Sequence, residues 1–290
     1  MDDFWEIVLC MPAEFEDAAA AWIPELSPGG FEQREEAEGA AFVLYRPVGT
    51  DGEEAVLSQI RQVMSALTGD LSLRIRRVPA TDWTERVREG MKPVKVGPVW
   101  VVPPWHAGEA AEDAVEVVIS SVFAFGTGYH ESTRLALRAA AEVICRREVA
   151  TVLDVGCGTG ILAIAALKLG VERAFACDID PEAVRCAGRN ALCNAVSDRL
   201  ELQCCDVADL GPASWPQSHP LVVANLTAPV ILARAGSLRA ATEPGGTLVL
   251  SGIYRGSCDG VVQALRRASW RIDRELSEGD WSALVCWRLR

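Results

Sequence analysis

The run Val152-Leu153-Asp154-Val155-Gly156-Cys157-Gly158-Thr159-Gly160 leads from an apolar, β-branched stretch into three glycines at a spacing of two. Glycines so placed let the backbone turn sharply and approach a ligand at the carboxyl end of a strand. A dinucleotide fingerprint wants its third glycine at position 161, which is Ile161 here, and the Gly-Lys-Ser/Thr of a phosphate loop is missing. Eighteen residues beyond Gly160, Asp178-Ile179-Asp180-Pro181 offers a carboxylate where nucleotide folds hold ribose hydroxyls. Asp180 suits a cap for a helix opened by Pro181. Asp206, after the next apolar run, is a candidate for the base end of such a ligand. Upstream, Phe125-Gly126-Thr127-Gly128 precedes a helix over 133–145 that Ser132 or Thr133 would cap. Asn225 closes Val222-Val223-Ala224, where a side-chain amide at a strand end can orient an incoming nucleophile.

These residues need a scaffold, and the chain alternates accordingly. Strands are expected at 151–155, 174–178, 200–204, 221–224 and 247–251, with helices at 160–169, 181–194, 228–242 and 257–268. Such alternation predicts a mostly parallel sheet covered on both faces. Stretches 270–276 and 282–289, parted by a short Gly279-Asp280 turn, predict an antiparallel edge hairpin. The first eighty residues read differently: strand 5–10, helix 12–26, extended stretches 31–37 and 40–46, helix 53–67 and an alternating strand 71–78. That βαββαβ order is the ferredoxin-like split unit. Residues 80–118, punctuated by prolines and by Trp83, Trp100 and Trp105, read as a structured connector. The expected domains are thus 1–79, 80–118 and 119–290.

Composition narrows the partners. The 290 residues carry 40 acidic against 28 basic side chains, a net charge of −12. Residues 1–80 hold 15 acidic and 6 basic residues, or −9 of that total. A duplex binder brings a basic face to phosphates, so direct nucleic-acid readout is not expected; the acidic surface reads either as a solvated face or as one that steers a basic protein partner. The acidic start and the absence of any long apolar run argue against a signal peptide and a membrane span. The ten cysteines include no Cys-x-x-Cys pair, and His106, His130 and His219 lie far apart, so no metal is expected. Cys145, Cys177, Cys204 and Cys286 fall in apolar runs and read as reduced core thiols of a cytoplasmic protein.

The Asp-x-Gly-x-Gly-x-Gly of 154–160 is similar to that of S-adenosylmethionine-dependent methyltransferases with a class I Rossmann-like fold. That cofactor presents a ribose, an adenine and a zwitterionic tail in place of a pyrophosphate; Asp154 would serve the tail's ammonium and Asp206 the adenine end. The motif together with Phe125-Gly126-Thr127-Gly128, Asp178-Ile179-Asp180-Pro181, Val223-Ala224-Asn225 and Leu250-Ser251-Gly252-Ile253 resembles the PrmA family. Its members methylate amino groups, on lysine side chains and the N-terminus, of ribosomal protein L11, and carry a small ferredoxin-like recognition domain. The resemblance implies cofactor contacts at Thr133, Gly156, Asp178 and Asn225, with Asp154, Gly158, Phe125, Gly126 and Thr127 beside them. It implies Asn225 as the orienting group for the acceptor amine and L11, free or on the ribosome, as the partner. Departures lie near the acceptor: Tyr129 and Glu131-Ser132 interrupt the family's Gly-Thr-Gly-Thr-His-Pro-Thr-Thr, Asn225-Leu226-Thr227-Ala228-Pro229 lacks a glycine, and Ser120-Ser121-Val122 replaces an Asp-Pro-Gly turn. Other readings of the same residues are a methyltransferase of another basic protein or a small amine, and an inactive cofactor-binding regulator.

Overall fold

The computed structural model describes residues 3–11, 31–36, 39–48, 57–58, 60–61, 72–79, 91–111, 114–120, 128–209, 215–216 and 218–289. The chain divides into two compact units, Met1–Met91 with Val122–Phe125, and Lys92–Ser121 with Gly126–Arg290.

In the first unit, strands β1 (Phe4–Met11), β2 (Phe31–Glu36), β3 (Gly39–Pro47) and β4 (Ser72–Val78) form an antiparallel sheet in the order β2-β3-β1-β4. This interleaved order is what a split βαβ repeat produces, because each crossover skips one strand. The period of two in β1 sends Ile7 and Leu9 to one buried face, opposite Leu44 and Phe42 of β3. Glu6 points the other way, is also buried, and accepts a hydrogen bond from Arg76 of β4. The two residues are register partners in the β1–β4 ladder, so the pair is compatible with that register alone on this face. Residues 57–58 and 60–61 are helical within the expected second helix, with Ile60 buried; the expected helix 12–26 lies outside the described residues.

The second unit begins with a small sheet, β5 (Val94–Val96), β6 (Val99–Val102) and β7 (Val115–Val118), in the stretch read as a connector. Trp100 and Trp105 are half-buried there, and Trp83 lies outside the described residues. Next come α1 (Glu131–Arg146), β8 (Thr151–Val155), α2 (Ile161–Lys168), β9 (Arg173–Asp178), α3 (Pro181–Cys193) and β10 (Leu200–Cys204). The chain continues through β11 (His219–Asn225), α4 (Ala228–Ala241), β12 (Thr242–Tyr254), α5 (Arg255–Arg267), β13 (Trp270–Glu278) and β14 (Trp281–Arg288).

The seven strands β8–β14 form one sheet in the order β10-β9-β8-β11-β12-β14-β13. The first five run parallel, and β14 is antiparallel to both neighbours, closing the predicted edge hairpin. From β8 the chain winds outward to β9 and β10, then returns to the other side of β8 as β11 and β12. The order therefore reverses between β8 and β11, and ligands of open α/β sheets bind above such a reversal, at the carboxyl strand ends.

Both faces are covered. Helix α2 is buried along Ile161–Leu167, against the sheet and the valines of β5–β7. Each such aliphatic side chain contributes about 1.5–3 kcal/mol on burial. On the opposite face Leu153, Phe175, Val222 and Leu248 pack with Ile231 and Leu238 of α4, Val261 and Leu265 of α5, and Trp270. Cys177 and Cys286 are buried as expected, but Cys145 and Cys204 are exposed. The apolar runs holding them are amphipathic at the end of α1 and at the sheet-edge strand β10, which turn these two positions outward. Among the described residues no cluster could hold a metal ion, and no helix is long and apolar enough to cross a membrane.

Candidate active site

Gly156, Gly158 and Gly160 all adopt left-handed backbone, with φ of 71°, 52° and 77°. L side chains are strained there, which explains the spacing of two. A Cβ on Gly156 would also lie 2.5 Å from Leu226 Cδ2, so the loop after β8 passes directly beneath the Leu226 side chain.

The amides of this loop are already committed. Gly156 N and Cys157 N donate to Cys177 O at 2.8 and 3.0 Å, and Gly158 N donates to Asp178 Oδ2 at 2.9 Å. A phosphate cradle needs such amides unpaired and aimed at the ligand. This loop suits a ligand without a phosphate. Asp178 Oδ1 also accepts from Asp180 N at 3.0 Å. Each oxygen of an ionised carboxylate takes two hydrogen bonds, so Asp178 retains acceptor capacity for hydroxyls.

Asp154 is fully buried at the end of β8. Its Oδ2 accepts from Ala163 N at 3.1 Å, while its Oδ1 is buried without a hydrogen-bond partner. Burial, the largest effect, raises its pKa to about 7; the Ala163 hydrogen bond opposes this and the nearby charge of Asp178 adds to it. A buried carboxylate with an idle oxygen is costly, and a cationic group brought near it would be held strongly.

On the other side of the reversal, Asn225 ends β11, and its Nδ2 donates to Thr133 Oγ1 at 3.3 Å. Thr133 is fully buried in the first turn of α1. Ser251 Oγ of β12 donates to Ser132 O at 2.7 Å, so two hydrogen bonds tie the start of α1 to the strand ends. The cap of α1 is His130, and not Ser132 or Thr133: its Nδ1 accepts from Ser132 N at 3.2 Å. Burial, opposed by the charge of Glu131, lowers the pKa of His130, and the accepting Nδ1 is occupied by the cap. Residue-type preferences at helix starts favour serine and threonine, which is why the sequence pointed past this histidine.

Asp180 Oδ1 accepts from Glu182 N at 2.8 Å and caps α3, as expected. Asp206 is otherwise engaged. Its Oδ1 accepts from Ala208 N at 2.9 Å, and its Oδ2 accepts from Arg234 Nε and Nη2 at 2.9 and 2.5 Å. It therefore anchors a turn to α4. Thr133, Asp154, Gly156, Gly158, Asp178 and Asn225 gather at one edge of the sheet, and Phe125, Gly126 and Thr127 lie outside the described residues. Two contributors carried no signal in the sequence. Leu226 covers Gly156, and Asn190 of α3 is a fully buried amide that accepts from Ser120 N at 3.0 Å and donates to Thr159 O at 2.9 Å, bracing the loop from behind.

The sequence profile described as ribosomal protein L11 methyltransferase (PrmA) matches residues 18–288. A ribosomal protein L11 methyltransferase of Thermus thermophilus is 42% identical over 205 residues, spanning 70% of this chain and 76% of that protein. One of Geobacter sulfurreducens is 33% identical and spans 98% of both chains. The crystal structure of ribosomal protein L11 methylase from Lactobacillus delbrueckii subsp. bulgaricus superposes with a TM-score of 0.61 at 30% identity. It covers 68% of this chain and 99% of its own.

Proposed function

The chain belongs to the ribosomal protein L11 methyltransferase family, and from that premise we propose that it methylates amino groups of ribosomal protein L11, on lysine side chains and the N-terminus. The observation that carries this reading is the set of side chains at the reversal of strand order. Committed loop amides argue against a phosphate ligand, Asp178 keeps lone pairs for ribose hydroxyls, and the idle Oδ1 of Asp154 suits an ammonium. These features fit S-adenosylmethionine, which supplies a methyl group made electrophilic by its sulfonium.

In this reading Asp178 holds the ribose, Asp154 the amino acid tail, and the glycine loop with Leu226 shapes the floor. Asn225, tethered by Thr133, orients the acceptor nitrogen. A free lysine amine has a pKa of about 10.4 and must be neutral to attack. Desolvation at the mouth lowers that pKa, so the protein's main contribution is alignment of nitrogen, methyl and sulfur. The acidic first unit is the recognition module for the basic substrate, and the reaction takes place in the cytoplasm.

The test is transfer of tritiated methyl from S-adenosylmethionine to purified L11, with intact-mass and peptide mass spectrometry locating the methyl groups. Labelled lysine and N-terminal peptides are the expected result. Cofactor binding without any transfer to L11 would overturn the substrate assignment.

A further inference from the structure

The strand order divides the carboxyl edge of the large sheet. Strands β9, β8 and β11 present Asp178, Asp154 and Asn225, the groups assigned to the cofactor and the reacting nitrogen. In-line displacement brings the acceptor from the side opposite the departing sulfur. The neighbouring edge on that side is formed by β12 and β14.

An aromatic cluster stands there. Tyr254, the last residue of β12, pairs in register with Trp281, the first of β14. Their rings meet edge to face, with centroids 6.4 Å apart at 85°. His130 meets Trp281 in the same manner at 4.8 Å and 69°. Tyr254 is 54% exposed, yet its ring is braced: a Cβ on Gly256 would come within 3.2 Å of Tyr254 Cε1. His130 joins the cluster to the reacting edge, because it caps the helix whose Thr133 holds Asn225.

Single exposed aromatics are ordinary. A braced, half-exposed ring on the strand beside Asn225, three residues past its register partner Ser251 (roughly 10 Å further along that strand), is a surface ready for a ligand. Glu131 and Glu278 share Arg134, and Arg255, next to Tyr254, donates to Gly279 O beside Asp280, so the rim carries three carboxylates against two guanidinium groups. A long aliphatic stem ending in a cation fits such a wall. Its methylenes pack on the rings, and the ring faces attract the ammonium before the proton is lost.

Resting on the L11 reading above, we infer that Tyr254 and Trp281 form the wall that receives the acceptor lysine side chain and directs its amine to Asn225. Loss of the Tyr254 ring in Tyr254→Ala should raise KM for L11 about tenfold, the effect of one well-placed aromatic contact. Affinity for S-adenosylhomocysteine, measured by calorimetry, should be unchanged, and Tyr254→Phe should restore KM because the ring, not the hydroxyl, makes the wall. A second arm needs no turnover. Nα-acetyl-lysine methylamide should shift the indole N–H resonance of Trp281, identified by its loss in Trp281→Phe, in the wild type and not in Tyr254→Ala. Unchanged KM in Tyr254→Ala, or a parallel loss of S-adenosylhomocysteine affinity, would overturn the wall. If the wild type leaves L11 unmodified, the substrate reading fails separately, and the resonance arm still decides: no shift in the wild type rejects the wall.

Discussion

Asn225 is fastened to Thr133 by a hydrogen bond from its Nδ2, which leaves its Oδ1 turned toward β12, where a Cβ on Gly252 would stand 3.0 Å away. The amide is thus held between a helix start and a neighbouring strand, and its orientation is set before any ligand arrives. Leu226 N donates to Ser251 O at 3.0 Å and extends the same strand pairing one residue past β11. A side chain locked in this way loses little freedom on binding, which is what alignment of reacting atoms requires.

Gly252 is the position where that arrangement is most easily broken. Its φ is 78°, and a Cβ there would lie 2.6 Å from the Leu226 carbonyl oxygen, a backbone atom that cannot rotate away. Gly252→Ala should therefore cost about 1–3 kcal/mol of stability and lower kcat for methyl transfer more than it weakens cofactor binding. Gly156→Ala offers the contrast. Its clash is with Leu226 Cδ2, the far end of a flexible side chain, so rotation relieves the contact and strain at φ 71° is what remains. Equal effects of the two substitutions on kcat would contradict this account, and denaturant unfolding with steady-state kinetics measures both.

Asp178→Ala should weaken S-adenosylmethionine binding by about 1.5–3 kcal/mol, the value of hydrogen bonds to a charged acceptor. The same change frees Gly158 N and Asp180 N, so amide exchange at Gly158 should accelerate in the ligand-free protein. Asp178→Asn keeps one acceptor oxygen and should fall between the two. Calorimetry finding wild-type affinity in Asp178→Ala would remove the ribose assignment.

Asp154 makes stability depend on pH in a defined direction. Its folded pKa, about 7, lies above the ordinary 3.8, so the protonated form favours the fold. The stabilisation is complete below about pH 4, declines as pH rises, and is lost once pH passes about 7. Relative to Asp154→Asn, whose amide stays neutral, the ligand-free wild type should lose roughly 1 kcal/mol per pH unit across that window. A bound ammonium would favour the ionised form, so cofactor affinity of the wild type should fall below pH 7 and that of the variant should not. Denaturation curves that run parallel for the two proteins from pH 4 to 8 would count against the buried, unpaired carboxylate.

The second unit was legible because its periodicity and its glycines act locally. Strands β8–β11 and the hairpin emerge within a few residues of their expected bounds, and the glycine loop of 156–160 follows the first strand of the large sheet, as its spacing suggested. What could not be read depends on distant contacts. His130 caps α1 against residue-type preference, its Nδ1 accepting from Ser132 N while its ring packs on Trp281, 151 residues away. Asp206 gives no hint in sequence of Arg234, 28 residues away on α4, and Leu226 gives none of Gly156. The small sheet of β5–β7 was obscured by prolines and short strands. It is held by Asn194 of the turn after α3, whose amide exchanges two hydrogen bonds with the Val118 backbone.

The acidic first unit makes a prediction of another kind. Residues 1–80 carry −9 of the net −12, and β2, at one edge of their sheet, contains Glu32, Glu35 and Glu36. A protein that lives against ribosomal RNA presents a basic surface, so opposite charges would speed its encounter with this module. Steering of this kind is screened by salt, with a Debye length of about 8 Å at physiological strength. KM for L11 should therefore rise roughly three- to tenfold between about 0.05 and 0.3 M salt, while kcat and affinity for S-adenosylhomocysteine stay level. Replacing Glu32, Glu35 and Glu36 together by glutamine should raise KM at low salt and flatten the salt dependence, since the charges responsible are gone. Wild-type kinetics that ignore salt, or a triple variant with the same salt slope as the parent, would return the acidic surface to a purely solvating role.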